Sequence, residues 1–195
     1  MTIDWFFVLF ICFIIVLFLG ILIVYFRQYR TIKILMKQQA LKRNGTVVGS
    51  FLLPVLKFSY HSLPFVVTSL PATKYRQAKT EVTITLPKPV AADLKITRES
   101  LSTRVQKALG VTDVQLGIEE FDNQYLIKTD NESFARNLLN FTLQQHLLEM
   151  KQEKPRINLG GTRLVIQVPR VIKTEEHYDH LFDLAYTFSD RIQDL

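Results

Sequence analysis

Two histidines three residues apart, His177 and His180, sit among Glu175, Glu176, Asp179 and Asp183, the residue types closest to a metal site in this chain. Residues three and four apart are neighbours on a helix, so His177, His180 and Asp183 would share a face offering imidazole and carboxylate to a cation. The same spacing is what the polar face of a helix's first turns looks like, where acids complement the positive end of the macrodipole. Two histidines alone favour that second reading. No metal and no cofactor is therefore expected.

Other groups carry less. Asp113, Glu119, Glu120 and Asp122 could pair carboxylates for acid–base work, but no base or nucleophile stands nearby, and a solvated loop is expected. His61 falls in a turn and His146 in a long helix, each alone. There is no phosphate-binding glycine loop, no H-E-x-x-H and no G-x-S-x-G. Tyr75-Arg76, flanked by Lys74 and Lys79, offers one aromatic among cations, too little for a nucleic-acid platform.

Charge points elsewhere. The net charge of +6 divides into +5 for residues 1–43 and +1 for the remainder, so the excess is not a nucleic-acid footprint. Arg27, Arg30, Lys33, Lys37, Lys42 and Arg43 all follow directly on residues 5–26, an uncharged apolar run. At 1.5 Å per residue that run spans roughly 33 Å as a helix, enough for a hydrocarbon core of about 30 Å. The residues before it carry no Lys or Arg and its end has no small-x-small site, which speaks against a cleaved signal peptide. The positive-inside rule then puts the N-terminus outside and the rest in the cytoplasm. The single cysteine, Cys12, lies within the run, so no intrachain disulfide can form.

Three parts are expected: an anchor over 1–26, a basic helical stem over 27–45, and an α+β domain over 46–195. In the stem, Tyr29, Ile32, Met36 and Ala40 make one stripe, with Arg30, Lys33 and Lys37 beside it. That stem could lie on anionic headgroups, pair with a helix, or hold the domain off the surface. Asn44-Gly45 ends it, with Gly45 expected in the left-handed position. The basic half of the remainder, residues 44–110, would also suit an anionic inner leaflet.

In the domain, residues 46–51, 55–60 and 65–68 read as strands that Pro54, Pro64 and Pro71 keep short or at an edge. Val82, Ile84 and Leu86 alternate with Glu81, Thr83 and Thr85 in a clearer strand, and Leu94-Lys95-Ile96 is another. Leu101, Val105, Ala108 and Leu109 predict a helix closed by Gly110. A strand over 124–129 leads to a capping box of Thr129 and Glu132, opening one helix with Phe134, Leu138, Phe141 and Leu148 aligned. Residues 156–159 and 163–168 form a hairpin turning at Gly160-Gly161. A last helix opens at Thr174, with Tyr178, Leu181, Phe182, Ala185, Phe188 and Ile192 inward. Without regular strand–helix alternation, a mainly antiparallel sheet with about three packed helices is expected.

The pattern of Phe121-Asp122, Tyr125, Ile127, Thr129 and Asn131, then Ala135 and Leu138-Leu139, a hairpin and an aromatic last helix, resembles a broad group of uncharacterised bacterial single-pass membrane-anchored proteins. The resemblance covers about residues 111–195 and implies a soluble α+β domain on a membrane anchor, with no activity attached. The expected function is a non-enzymatic accessory or scaffold that binds a protein partner or membrane complex. A membrane-bound hydrolase or metal-binding enzyme around His177 and His180, and an anionic-lipid-surface binder, are the alternatives.

Overall fold

The computed structural model describes residues 5–50, 52–98 and 114–195. The helix expected from Leu101, Val105, Ala108 and Leu109 lies outside the described residues, as does Asp113.

Helix α1, Trp5–Lys42, is one uninterrupted helix of 38 residues. The most apolar window of its first half holds no buried residue, and the helix is long and apolar enough to cross a membrane. The second half is different. Ile32, Leu35, Met36, Gln39 and Ala40 are buried, an i, i+3, i+4, i+7, i+8 stripe that packs on the first two strands. The segment read as a stem thus rests on the domain's own sheet. Its end is a Schellman turn in which the Gly45 N–H donates to the Ala40 carbonyl at 2.8 Å. Asn44, at φ 50°, takes the left-handed position expected of Gly45. Gly45 serves close approach instead, since a Cβ there would stand 2.7 Å from the Lys57 carbonyl oxygen.

The strands are β1 (Thr46–Gly49), β2 (Pro54–Tyr60), β3 (Leu63–Leu70), β4 (Lys79–Thr85), β5 (Leu94–Arg98), β6 (Tyr125–Thr129), β7 (Arg156–Gly160) and β8 (Arg163–Val168). They form one antiparallel sheet in the order β1-β2-β3-β4-β8-β7-β5-β6. The prolines do not shorten β2 and β3, which are interior strands of seven and eight residues. Pro54 only begins β2 and Pro64 sits one residue inside β3, opposite Ser59, where a missing donor costs least. The hairpin between them turns at His61 and Ser62, both at positive φ. The β7–β8 turn falls on Gly161-Thr162, one residue later than expected, because Gly160 still pairs with Arg163.

The remaining described helices are α2 (Glu119–Asp122), α3 (Glu132–Leu138), α4 (Phe141–Glu149) and α5 (Glu175–Gln193). The apolar rhythm predicts one long helix where α3 and α4 stand. Asn140 divides them: its side chain accepts from the Leu143 N–H at 3.0 Å and caps a new start. Likewise Asn131, not Thr129, caps α3 through the Phe134 N–H at 3.0 Å. Phe141 is consequently exposed and not part of the apolar stripe.

The core lies between the helices and one face of the sheet, where Leu56, Phe58, Phe65, Val67, Val82, Ile84, Leu164, Ile166, Ile157 and Ile96 are buried at alternate strand positions. Tyr178, Leu181, Phe182, Ala185 and Phe188 of α5 close it as expected. Within it, the Ser69 hydroxyl stands 2.8 Å from Thr80 Oγ1 and 3.0 Å from the Tyr178 hydroxyl, and Thr80 donates to the Arg170 carbonyl. Burial pushes the Tyr178 phenol up to about 12, against the Ser69 hydrogen bond that opposes it.

Candidate functional site

The residues singled out for metal chemistry do not converge. Thr174 caps α5, and its hydroxyl lies 2.7 Å from His177 Nδ1. The other ring nitrogen of His177 faces Glu153 at 3.3 Å, and Glu153 also accepts from Arg170. His177 therefore joins α5 to the loop after α4, while His180 and Asp183 are exposed on the helix. Among the described residues no group of three His, Cys, Asp or Glu side chains is arranged to hold a metal ion.

The acidic stretch is likewise spent on structure. Both Asp122 carboxylate oxygens accept backbone N–H bonds, from Leu116 and Gly117, at 2.9 Å each. Glu120 faces Lys151 at 3.3 Å. His61 stacks on Tyr60 and bonds Asp190 at 3.1 Å, with the Tyr60 hydroxyl donating to the same carboxylate at 3.0 Å. His146 lies 3.1 Å from the Thr187 hydroxyl. Each of these histidines ties two elements together.

The six basic residues after the apolar run separate into two sets. Arg27, Arg30 and Lys37 are exposed and Lys33 is half-buried. Lys42 and Arg43 turn toward α5. Arg43, 13% exposed, donates to Asp179 at 2.9 Å, to the Tyr186 hydroxyl at 2.8 Å and to the Gln39 side chain. Its guanidinium carbon lies 4.2 Å from the Phe182 ring centroid. Lys42 bridges Glu175 at 2.7 Å and Asp179 at 3.1 Å. Burial would raise the Asp179 carboxyl, but the hydrogen bonds from Arg43 and Lys42 outweigh it and hold the group below its ordinary value. Burial raises the Tyr186 phenol against the pull of Arg43. This seam fastens the end of α1 to the start of α5.

What the sequence does not announce is the second face of the sheet. Register places Lys57, Val66, Thr83, Val165, Asn158, Lys95 and Lys128 in one row across seven strands. All are exposed or half-buried. Beside that row run Val55, Thr68, Glu81, Gln167 and Arg156. A shallow depression of about 840 Å³ occupies part of this face, bordered by Lys95, Lys128, Asn158, Arg163, Glu81 and Gln167. Its polar groups are ammonium, guanidinium, carboxylate, amide and the Thr129 hydroxyl, which donates to the Asp93 carbonyl, so no hydroxyl there is paired to a base. Such a surface suits contact, with small β-branched side chains between cations. The signal that could have found it is the alternation within each strand, but assembling the row requires knowing the strand order.

No protein-family model and no curated protein matches the sequence. Among solved structures, the chain is similar to the mycobacterial trehalose monomycolate transport factor A, TtfA, with a TM-score of 0.56 and 10% identity, over 86% of this chain and 95% of that one. At that identity the likeness is one of fold. The likeness to uncharacterised bacterial anchored proteins thus rests on the sequence pattern alone.

Proposed function

We propose that the chain is a non-enzymatic accessory protein, anchored by residues 1–26, that holds a protein partner at the membrane through the open face of its α+β domain. The parts are an anchor, a juxtamembrane segment over 27–45 that packs on the sheet, and a domain over 46–195. The observation that carries this reading is the open sheet face: Lys57, Lys95, Lys128, Arg156 and Arg163 stand on it or at its rim against Glu81, Asp93 and Asp130, an excess of cations. Its partner is accordingly a protein with an acidic surface. A fold shared with a transport factor fits an accessory role. The basic flank of the apolar run supports a cytoplasmic domain.

The test is purification of the full chain from its own membranes in mild detergent, beside a Lys57→Glu/Lys95→Glu/Arg163→Glu variant. A stoichiometric protein retained by the parent and lost from the variant, with unchanged thermal unfolding, is the expected result. A chain that purifies alone, or keeps its partner after charge reversal, overturns the assignment of this face. A reporter fused after Leu195 that works only outside the cytoplasm, if active, overturns the orientation.

A further inference from the structure

We propose that one edge of the sheet, formed by the β1–β2 and β3–β4 loops, is a second membrane contact that rests in the headgroup layer of an anionic bilayer. This rests on the reading of residues 5–26 as a membrane span.

Geometry brings the edge to the lipid. The pairs Gly49↔Pro54, Val55↔Thr68 and Leu70↔Lys79 put Leu52 and Leu53 on the side of the sheet from which residues 71–78 also leave it. Ala72 of the second loop borders a groove that runs along α1 from Val16 to Gln28, past the end of the apolar run. A neighbouring cavity is lined by the same Gln28 and Ala72 together with Lys173. The first fully buried residue of α1 on the domain side, Ile32, is 1% exposed. Only residues 27–31 separate it from Phe26, roughly 8 Å of helix. A headgroup layer is itself about 5–8 Å thick on each side. A domain docked on α1 from Ile32 onward therefore brings this edge within reach of the headgroups, and the charge of the edge decides whether it rests on them.

The chemistry of the edge suits that depth. Leu52 is 54% exposed, Leu53 49% and Tyr75 90%. Scattered exposed apolar residues need no explanation, but these three stand on adjacent loops at the end where α1 emerges. Lys74 and Tyr75 form the tip of a tight turn, closed by the Thr73 N–H to the Arg76 carbonyl at 2.8 Å and the reverse bond at 3.3 Å. The Lys74 ammonium lies 5.7 Å from the Tyr75 ring centroid, and Arg76 and Lys173 are exposed beside them. Residues 50–78 contain no Asp or Glu. Tyrosine settles at the membrane–water boundary, leucine inserts just below it, and Lys and Arg gain from anionic headgroups. Two short apolar side chains, one aromatic and three cations on one edge thus make a surface for a charged bilayer.

The full chain is reconstituted into vesicles of phosphatidylcholine, with or without phosphatidylglycerol, in a Cys12→Ser background. An environment-sensitive fluorophore is placed at Thr73→Cys, or at Thr85→Cys on the opposite edge, about 20 Å away along β4. Lipids carrying a headgroup quencher report depth, and flotation after an alkaline wash reports the span separately. The expected result is strong quenching at position 73 in anionic vesicles and little at position 85. Lys74→Gln/Arg76→Gln should lower the docked-to-undocked ratio roughly thirtyfold, the factor two near-surface cations supply together. Flotation with an unquenched position 73, or quenching equal in neutral and anionic vesicles, overturns the edge proposal and leaves the span intact. Failure to float overturns the span and the edge with it.

Discussion

The two halves of α1 belong to one helix and meet two different solvents. From residue 5 to residue 26 the side chains are apolar on every face, and none of the described residues in its most apolar window is buried. From residue 27 onward the apolar residues narrow to a stripe through Ile32, Leu35, Met36, Gln39 and Ala40, and the stripe is buried. A helix apolar all round can only be satisfied by a surrounding apolar medium, whereas a stripe is satisfied by one partner surface. On the proposed membrane reading, lipid gives way to protein as the helix's environment near residue 27.

The strongest way to break this comparison is to remove atoms from the protein side of it. Phe182 is fully buried and receives the Arg43 guanidinium and the Phe58 ring edge. Its replacement by Ala should cost about 3–5 kcal/mol, and Met36→Ala about 2–5 kcal/mol, because both leave cavities. Phe18→Ala, in the other half, should leave the domain's denaturant midpoint unchanged. These three unfolding curves in detergent decide the matter: a Met36→Ala domain that unfolds like the parent would show α1 to be peripheral to the core.

A finer contrast lies between two adjacent cations. Arg43 is largely enclosed and serves three acceptors, whereas the Lys42 side chain is 45% exposed. Arg43→Leu strands Gln39, Tyr186 and Asp179 and should cost about 1–3 kcal/mol. Lys42→Leu loses a solvent-screened pair and should cost much less than the Arg43 change. Equal losses on chemical unfolding would mean that burial does not distinguish them.

The smallest effect is one of pH. Asp179 is held below its ordinary value of 3.8 when folded. Its contribution is therefore complete above about pH 4, declines as pH falls through the folded value, and vanishes below it. The stability difference between the parent and Asp179→Asn should shrink over that acid range and stay constant from about pH 5 to 8. A difference that grows on acidification would contradict the depressed carboxyl.

Much of this fold can be read locally. The alternation of Val82, Ile84 and Leu86 marks β4, and the spacing of Tyr178, Leu181, Phe182, Ala185 and Phe188 marks α5, because both periods are set by backbone geometry alone. The failures are equally physical. A run from Glu132 to Glu149 keeps an apolar rhythm through Leu138, Leu139 and Leu143, so the capping competition that Asn140 wins is invisible in it. The β2–β3 turn uses His61 and Ser62 in conformations that usually call for Gly or Asn. The candidate contact surface was hidden for a different reason. Lys57, Lys95 and Lys128 are far apart in sequence, and that they share one row follows only from the strand order, with β8 and β7 inserted between β4 and β5. The histidines show the converse: His177 and His180 have ligand spacing, but His177 is engaged by Thr174 and Glu153.

Residues 27–31, Arg-Gln-Tyr-Arg-Thr, contain neither Gly nor Pro, and the helix passes through them without interruption. The link between the apolar half of α1 and the domain is therefore stiff in torsion as well as in bending, and the rest follows if that half spans a bilayer as proposed. Each residue of α-helix advances the chain by about 1.5 Å and turns it by about 100°. The compass heading of the sheet is thus locked to the phase of the helix in the membrane: one residue added here would swing the whole domain through more than a quarter turn while barely lifting it. Whatever neighbour the anchor meets inside the bilayer, its position dictates which way the domain faces outside it.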